Sequence, residues 1–341
     1  MANRKADPDL RLIPTGGPEA ATPHLSVDGM SPQGPNLSHW PGNRTPIKWK
    51  ADLSTGICLN FARAPRAEQA EFLCGVQTVL NDHYDTDGFL SCLAVLQPEV
   101  AMEHEEVCLL AAATGDFQAW QTWRGFAIDR IVLNLAEPKL SPYATQFADL
   151  TGAAKDFQRY RWLLEHATSV LTEPRRYEPL FADELSRVQE QLNAARAGAV
   201  SRRLWPEHGL AVVTGSADLH RLVLNTIAGA YRVLHVRETQ DGPLYRYHDR
   251  TETWFEVCTF SPPRRRDLGA LAERLQALEQ DQGGGSGGSS GRWCADPATE
   301  PIPELYHGLP GEQAYGQINR GLTPSCLTPE TVSAAVLEHF A

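Results

Sequence analysis

Apolar positions fall in short runs separated by helical stretches. Val76–Leu80 is a compact apolar run that predicts a buried strand, and Gly88–Leu96 predicts the helix after it, stopped by Pro98. Val107–Ala113 is a second such run and predicts a parallel strand. Residues 66–75 predict a short helix, and Gln118–Leu135 repeats apolar residues at helical spacing. Two longer helices are expected over Tyr143–Leu171 and Pro179–Ala197, separated at Pro174. From Leu210 the pattern changes. GLAVVTG reads as a buried strand and ADLHRLVLNTIAG as an amphipathic helix. Tyr231–Arg237, Leu244–His248 and Thr253–Phe260 read as strands, and LGALAERLQALEQ as a closing helix.

These elements predict an α/β protein in two domains. Residues 36–200 form an α/β domain with a parallel sheet and a helical cap, and residues 205–341 a smaller α+β domain. Residues 1–35, rich in Pro, Gly, Asp and Ser, predict a flexible arm, with structure beginning near Leu37. LSHWPGNRTP (Leu37–Pro46) is dense in turn formers and predicts a fixed loop. GGGSGGSSG at 283–291 suits only a flexible coil, either a natural loop or an engineered linker.

Composition narrows the function classes. With 31 Lys+Arg against 42 Asp+Glu, the net charge of -11 argues against a nucleic-acid-binding face. No apolar run reaches the roughly 18 residues that span a bilayer, and the N-terminus has no apolar signal core, so a cytoplasmic protein off the membrane is expected. Seven cysteines without a CxxC pair do not make a disulfide framework. No GxGxxG follows a strand, and neither a Walker loop nor HExxH occurs, which removes nucleotide-binding dehydrogenases, P-loop enzymes and zincins.

The candidate chemistry sits in NDHYDTDGFLS, Asn81–Ser91, where a buried strand ends and a helix begins. Ligands bind there in α/β sheets. Asp82, His83, Asp85 and Asp87 crowd together, Gly88 permits a tight turn, and Ser91 is expected in the first helical turn. Carboxylates this close need a countercharge: a metal, a cationic substrate or basic side chains. The plainer reading is a loop whose aspartates cap the helix. Tyr84 in the same loop is expected to contact substrate. Ser38, His39 and Trp40 read either as a substrate wall, with His39 a donor, or as a packed turn. Asp116, after the second apolar run, either joins the acidic site or caps the next helix. Trp120 and Trp123 read as core packing beside Arg124, and Arg264–Arg266 as a solvated charge run.

The pattern H-x-D-x-D-G-x-x-S, here His83, Asp85, Asp87, Gly88 and Ser91, resembles the first motif of the DHH phosphoesterases. The resemblance implies a DHH-like sheet domain in which His and Asp hold manganese or magnesium against a phosphate ester. The ligand set would be His83, Asp85, Asp87 and Asp116. The chain departs from that pattern: no DHH tripeptide occurs, and Asp116 is the only aspartate after the second apolar run to supply the next ligand.

VDG, LSHWPG, H-x-D-x-D-G, GDF and a late E-T-W together are similar to an actinobacterial family, over Ser26 to Trp293. Within it the chain resembles the aziridine-forming enzymes of the azinomycin and vazabitide type. That resemblance implies a biosynthetic cyclase, in which a substrate amine displaces a neighbouring sulfate. No cofactor is needed. Asp82, His83, Asp85 or Asp87 would take the proton, and Arg44, Arg124 and Arg130 are candidates to receive the sulfate. The partner would be a small cationic amino compound, free or bound to a carrier protein. Ring closure to an aziridine is the first expectation, the metal-dependent phosphoesterase the second, and a non-catalytic binder of amino compounds the third.

Overall fold

The structure, a computed structural model, describes residues 10–282, 291–309 and 321–341. It is an α/β protein that divides into two compact units. The first comprises the chain up to Ser186 together with Phe255–Ser261, and the second comprises Arg187–Trp254 with Pro262–Ala341.

The first unit is built on four short parallel strands, β1 (Arg11–Leu12), β2 (Leu25–Val27), β3 (Asn36–Leu37) and β4 (Thr78–Leu80), in the order β1-β4-β2-β3. Leu25 pairs with Val79, and Val27 with Leu37; all four are fully buried. Helices α1 (Ser54–Arg63) and α2 (Arg66–Leu73) lie between β3 and β4 in the chain, and α3 (Thr86–Leu96), α4 (Pro98–Glu103), α5 (Glu105–Asp116) and α6 (Trp123–Asn134) follow β4. Helix α3 has ten buried residues among its eleven and packs on α1, α5 and α6. Helices α7 (Gly152–Glu165) and α8 (Ala167–Thr172) come next, and α9 (Ala182–Arg196) contains the division between the units.

Several expectations are corrected. The arm over 1–35 is not one: residues 11–12 and 25–27 are strands, and β2 lies inside the sheet. Strands of two or three residues are too short to show a period, so the surrounding prolines and glycines dominate the pattern. Residues 1–9 of that arm, and 283–290 of the Gly/Ser run, lie outside the described residues. Val107–Ala113 is helical, inside α5. A helix buried around much of its girth produces the same apolar run as a parallel strand, and its Leu and Ala content and its leading Glu105 and Glu106 favour the helix. Tyr143–Leu171 is broken into shorter pieces, the helix expected over Pro179–Ala197 is present as α9 from Ala182 to Arg196, and the one expected from Gln118 begins at Trp123. Thr253–Phe260 is not a strand. Its backbone donors go to loop groups instead: Glu256 N–H to the His39 carbonyl at 2.7 Å, and Cys258 and Thr259 N–H to the Asp52 carboxylate.

The second unit carries a six-stranded mixed sheet. Its strands are β5 (Val200–Trp205), β6 (Leu210–Gly215), β7 (Arg232–Arg237), β8 (Leu244–Asp249), β9 (Arg292–Ala295) and β10 (Glu304–Gly308), in the order β5-β6-β7-β8-β10-β9. Only the β6–β7 pair is parallel. One face packs Leu234, Val236, Tyr245 and Tyr247 against α11 (Gly269–Gln282) and α12 (Pro329–Phe340). Helix α10 (Arg221–Ala228) connects β6 to β7.

Candidate metal centre

The parallel strands of the first unit deliver their C-terminal ends side by side. Asp28 follows β2, His39 comes two residues after β3, and Asp82, His83 and Asp85 fill the loop after β4. Asp87 lies in the first turn of α3, and Asp116 is the last residue of α5. Six of these side chains form two donor sets that share one member. Asp28, His39, Asp87 and Asp116 place one ligand atom each within 4.8 Å of one another, and so do Asp28, His83 and Asp85. The Asp28 Oδ1 lies 3.6 Å from His39 Nε2, and its Oδ2 lies 3.2 Å from His83 Nε2.

The protein around each donor fixes its direction. Asp87 accepts from the backbone N–H groups of Ser54 and Thr55, both at 2.8 Å, and from the Thr55 hydroxyl at 2.5 Å. Helix α1 has no side-chain cap of its own. Asp87 therefore satisfies that helix's orphan donors while keeping an oxygen 3.8 Å from His39 Nε2. Asp85 Oδ1 caps α3 through Gly88 N–H, and its Oδ2 lies 3.0 Å from His83 Nε2. Asp82 Oδ1 holds His83 Nδ1 at 2.9 Å. The Tyr160 hydroxyl donates to the His83 carbonyl at 2.8 Å and accepts from Asp85 N–H, which ties down the whole loop.

His39 is held on all sides. Its Nδ1 lies 2.7 Å from the Asp52 carbonyl, its N–H bonds Ser54 Oγ, and its ring stacks on Phe255 at 3.7 Å. Glu256 pins the same loop by accepting from Gly42 N–H, Asn43 Nδ2 and Lys50 Nζ. A carbonyl only accepts, so His39 carries its proton on Nδ1. The bare Nε2 lone pair then faces Asp116 at 3.2 Å, Asp28 at 3.6 Å and Asp87 at 3.8 Å. Among the described residues, neither His39 Nε2 nor Asp28 Oδ1 has a hydrogen-bond partner.

The electrostatics describe a site short of positive charge. Burial, reinforced by Asp87 and Asp85, pushes Asp28 well above the usual carboxylate range; burial with Asp87, Asp28 and Asp85 does the same to Asp116. Burial pushes His39 down, keeping its ring neutral. Burial also opposes charge on His83, but Asp85, Asp28 and Asp82 together hold its pKa well above the ordinary value. Protons thus occupy the positions where cations would balance the carboxylates.

Of the residues expected at the site, Asp82, His83, Asp85, Asp87, His39 and Asp116 converge, and the Trp40 ring lies 5.1 Å from that of His83. His39 belongs to the donor set itself, not to a substrate wall. Asp116 arrives from a helix end, not a strand end. The others do not join the cluster. Ser38 closes its own turn with Thr45 and the Trp40 N–H. Tyr84 donates to the Val132 carbonyl beneath the Arg159 guanidinium. Ser91 is a buried mid-helix residue beside Cys58, not a first-turn one. Arg44 bonds the carbonyls of Ser31 and Gly34, Arg124 that of Leu171, and Arg130 pairs with Asp129 and Glu184. These arginines stitch the unit together. Asp28 was not expected among the site residues. Its signal was the VDG triplet, an Asp-Gly after a short apolar run.

The chain matches the model of the family described as "Family of unknown function (DUF6687)" over residues 10–341, and it belongs to that family. No curated protein and no solved structure matches it.

Proposed function

We propose that this member of the family is a metal-dependent phosphoesterase, with a pair of divalent cations held by the two donor sets that share Asp28. The observation that carries the reading is His39. Its tautomer is fixed by the Asp52 carbonyl, so its buried Nε2 lone pair points toward three carboxyl groups and has no hydrogen-bond partner among the described residues. A cation would take that lone pair and replace the protons that otherwise balance the buried carboxylates. Asp28, His39, Asp87 and Asp116 would hold one ion, and Asp28, His83 and Asp85 the other. Carboxylates with a minority of imidazoles suit manganese better than a soft-ligand metal. A bound pair of ions supplies Lewis acidity and lowers the pKa of water at an ester phosphate. The resemblance of His83, Asp85, Asp87, Gly88 and Ser91 to the DHH motif supports the same chemistry and a DHH-like fold for this unit.

The residues of the chain provide the rest. Asp82 orients the His83 ring from behind, as carboxylates do for ligating histidines. The second set is the more accessible, with His83 30% and Asp85 25% exposed at the side chain, against 0–7% for His39, Asp28, Asp87 and Asp116. Substrate therefore approaches on the His83 side, past Trp40.

Ring closure with sulfate loss ranks second. It uses the same acidic loop, with a substrate ammonium as countercharge, but Arg44, Arg124 and Arg130 are engaged within the fold. Elemental mass spectrometry on protein purified without chelator tests the first reading. About two manganese per chain, lost in Asp28→Asn, together with phosphate release from p-nitrophenyl phosphate, is the expected result. A metal-free protein that also fails to take up manganese on dialysis overturns it.

A further inference from the structure

The second unit has a feature that the acidic cluster does not explain. Its sheet obeys the alternation of a half-solvated sheet, yet both faces are covered. Leu234, Val236, Tyr245 and Tyr247 face the apolar core. On the opposite face His235 pairs across with Arg246, Arg237 with Leu244, and His248 with Val233 and Glu304. These polar side chains are nearly removed from water: His235 is 6% exposed, Arg246 8% and His248 1%. Burying ionic and imidazole groups this deeply is costly unless they serve a ligand or one another.

Part of the cost is met internally. Arg246 reaches Glu304 with Nε at 3.0 Å and Nη2 at 2.7 Å, and Arg221 from α10 reaches the same oxygen. One buried carboxylate thus serves two guanidinium groups. Arg237 has Asp218 at 3.1 Å, but that aspartate side chain is 58% exposed, and an exposed pair is well screened. His248 Nε2 meets Asn225 Oδ1 at 2.7 Å. His235 Nε2 is buried and has no hydrogen-bond partner among the described residues. Arg221, Arg237, Arg246 and His235, with Asp218 and with Leu224 and Leu244, line a cavity of about 200 Å³.

We propose that this cavity binds the phosphate group of a small organic phosphate, with Arg237 and His235 as its contacts and the Arg221–Glu304–Arg246 cluster as the positive wall behind them. Guanidinium forks match a tetrahedral oxyanion with parallel N–H donors. The imidazole supplies a further donor. The leucines accept the ligand's organic body, since the cavity is larger than a lone phosphate fills. Burial and the nearby Arg246 and Arg237 push His235 down to about 4, a bias that a bound anion would reverse. This inference stands on residues of the second unit and is independent of the metal reading.

The test is a titration of the full chain with inorganic phosphate, sulfate and acetate, followed by the imidazole NMR signals. Phosphate is expected to shift the His235 signals saturably and to raise that group's pKa. Arg237→Gln is expected to weaken phosphate binding about tenfold or more, the loss for one charge-assisted hydrogen bond. His235→Gln should weaken it as well, with its folding checked by circular dichroism. In the Asp28→Asn protein the His235 shift should persist, which separates this site from the acidic cluster. Sulfate competing with phosphate supports a tetrahedral oxyanion site, whereas acetate binding as tightly as phosphate overturns the phosphate class. Unmoved His235 signals in millimolar phosphate, or Arg237→Gln binding phosphate like the parent, overturn the site.

Discussion

Asp28 adopts a left-handed backbone conformation with φ of +49°, and its carboxylate is 1–2% exposed. Both features cost stability, and both place one oxygen toward each donor set. Asp28→Asn is expected to abolish uptake of the metal pair, read by elemental analysis, while the metal-free protein gains stability because a carboxyl that resists ionisation is gone. Asp87 is the opposite case. Asn at that position would present an N–H₂ where Ser54 or Thr55 donates. Asp87→Asn should cost the chelated protein about 2–3 kcal/mol in urea unfolding, the cost of lost hydrogen bonds to a buried charge. Comparing the two substitutions separates a residue that serves the cation from one that also holds the fold.

At the scale of elements, the strand ends do the positioning. A Cβ on Gly29 would lie 2.5 Å from Asp82 Oδ1, so this glycine lets the β2 end pass close to the β4 loop. Gly29→Ala should swing Asp82 off His83 Nδ1 and lower manganese affinity about 10–100-fold, with little change in the melting temperature of the chelated protein. Gly88→Ala meets Asn81 Nδ2 and the Tyr160 hydroxyl at 2.6 Å, both part of the network that fixes the loop. It should lower the melting temperature with or without metal. The expected sites Asp82, His83, Asp85 and Asp87 were legible because four titratable groups crowd one turn. Asp28 was not, because three residues of strand leave no period and the proline-rich surroundings read as an arm. Asp116 was placed at the site by a wrong element: α5 is a helix, and its end reaches the same point a strand end would.

At the scale of the molecule, the two units respond oppositely to pH. In the first, Asp28, Asp116 and His83 have raised folded pKa values. Their contribution is fully present below the ordinary values and is lost as pH rises through the folded ones. His39, pushed down, acts the other way only below its ordinary value near 6.5. Chelated protein should therefore lose stability as pH rises above the ordinary carboxylate value near 4, partly offset by His39 until about 6.5 and joined by His83 above it, and manganese at a hundred times its Kd should restore about 2.7 kcal/mol, read by thermal unfolding. In the second unit His235 is held neutral down to about 4. Stability there should fall as pH drops from the ordinary histidine range toward that value, and hydrogen exchange in β7 and β8 should quicken. No helix among the described residues is long and apolar enough to cross a membrane.

By itself the sequence determined the α/β class, the β6–α10–β7–β8 run and α11 of the second unit, and the acidic turn after β4, but not β5, β9, β10 or α12. Each of these is written in local periodicity or in neighbouring residues. Only the tertiary structure decided the rest. It brought Asp28, His39 and Asp116 to that turn from positions far apart in the chain, and it returned Phe255 and Glu256 to lock the His39 ring and loop. It also consumed Arg44, Arg124 and Arg130 in carbonyl and carboxylate contacts. The physical reason is that a donor's role depends on which groups share its burial. That is a property of packing between distant segments, which no local pattern of apolar and polar positions encodes.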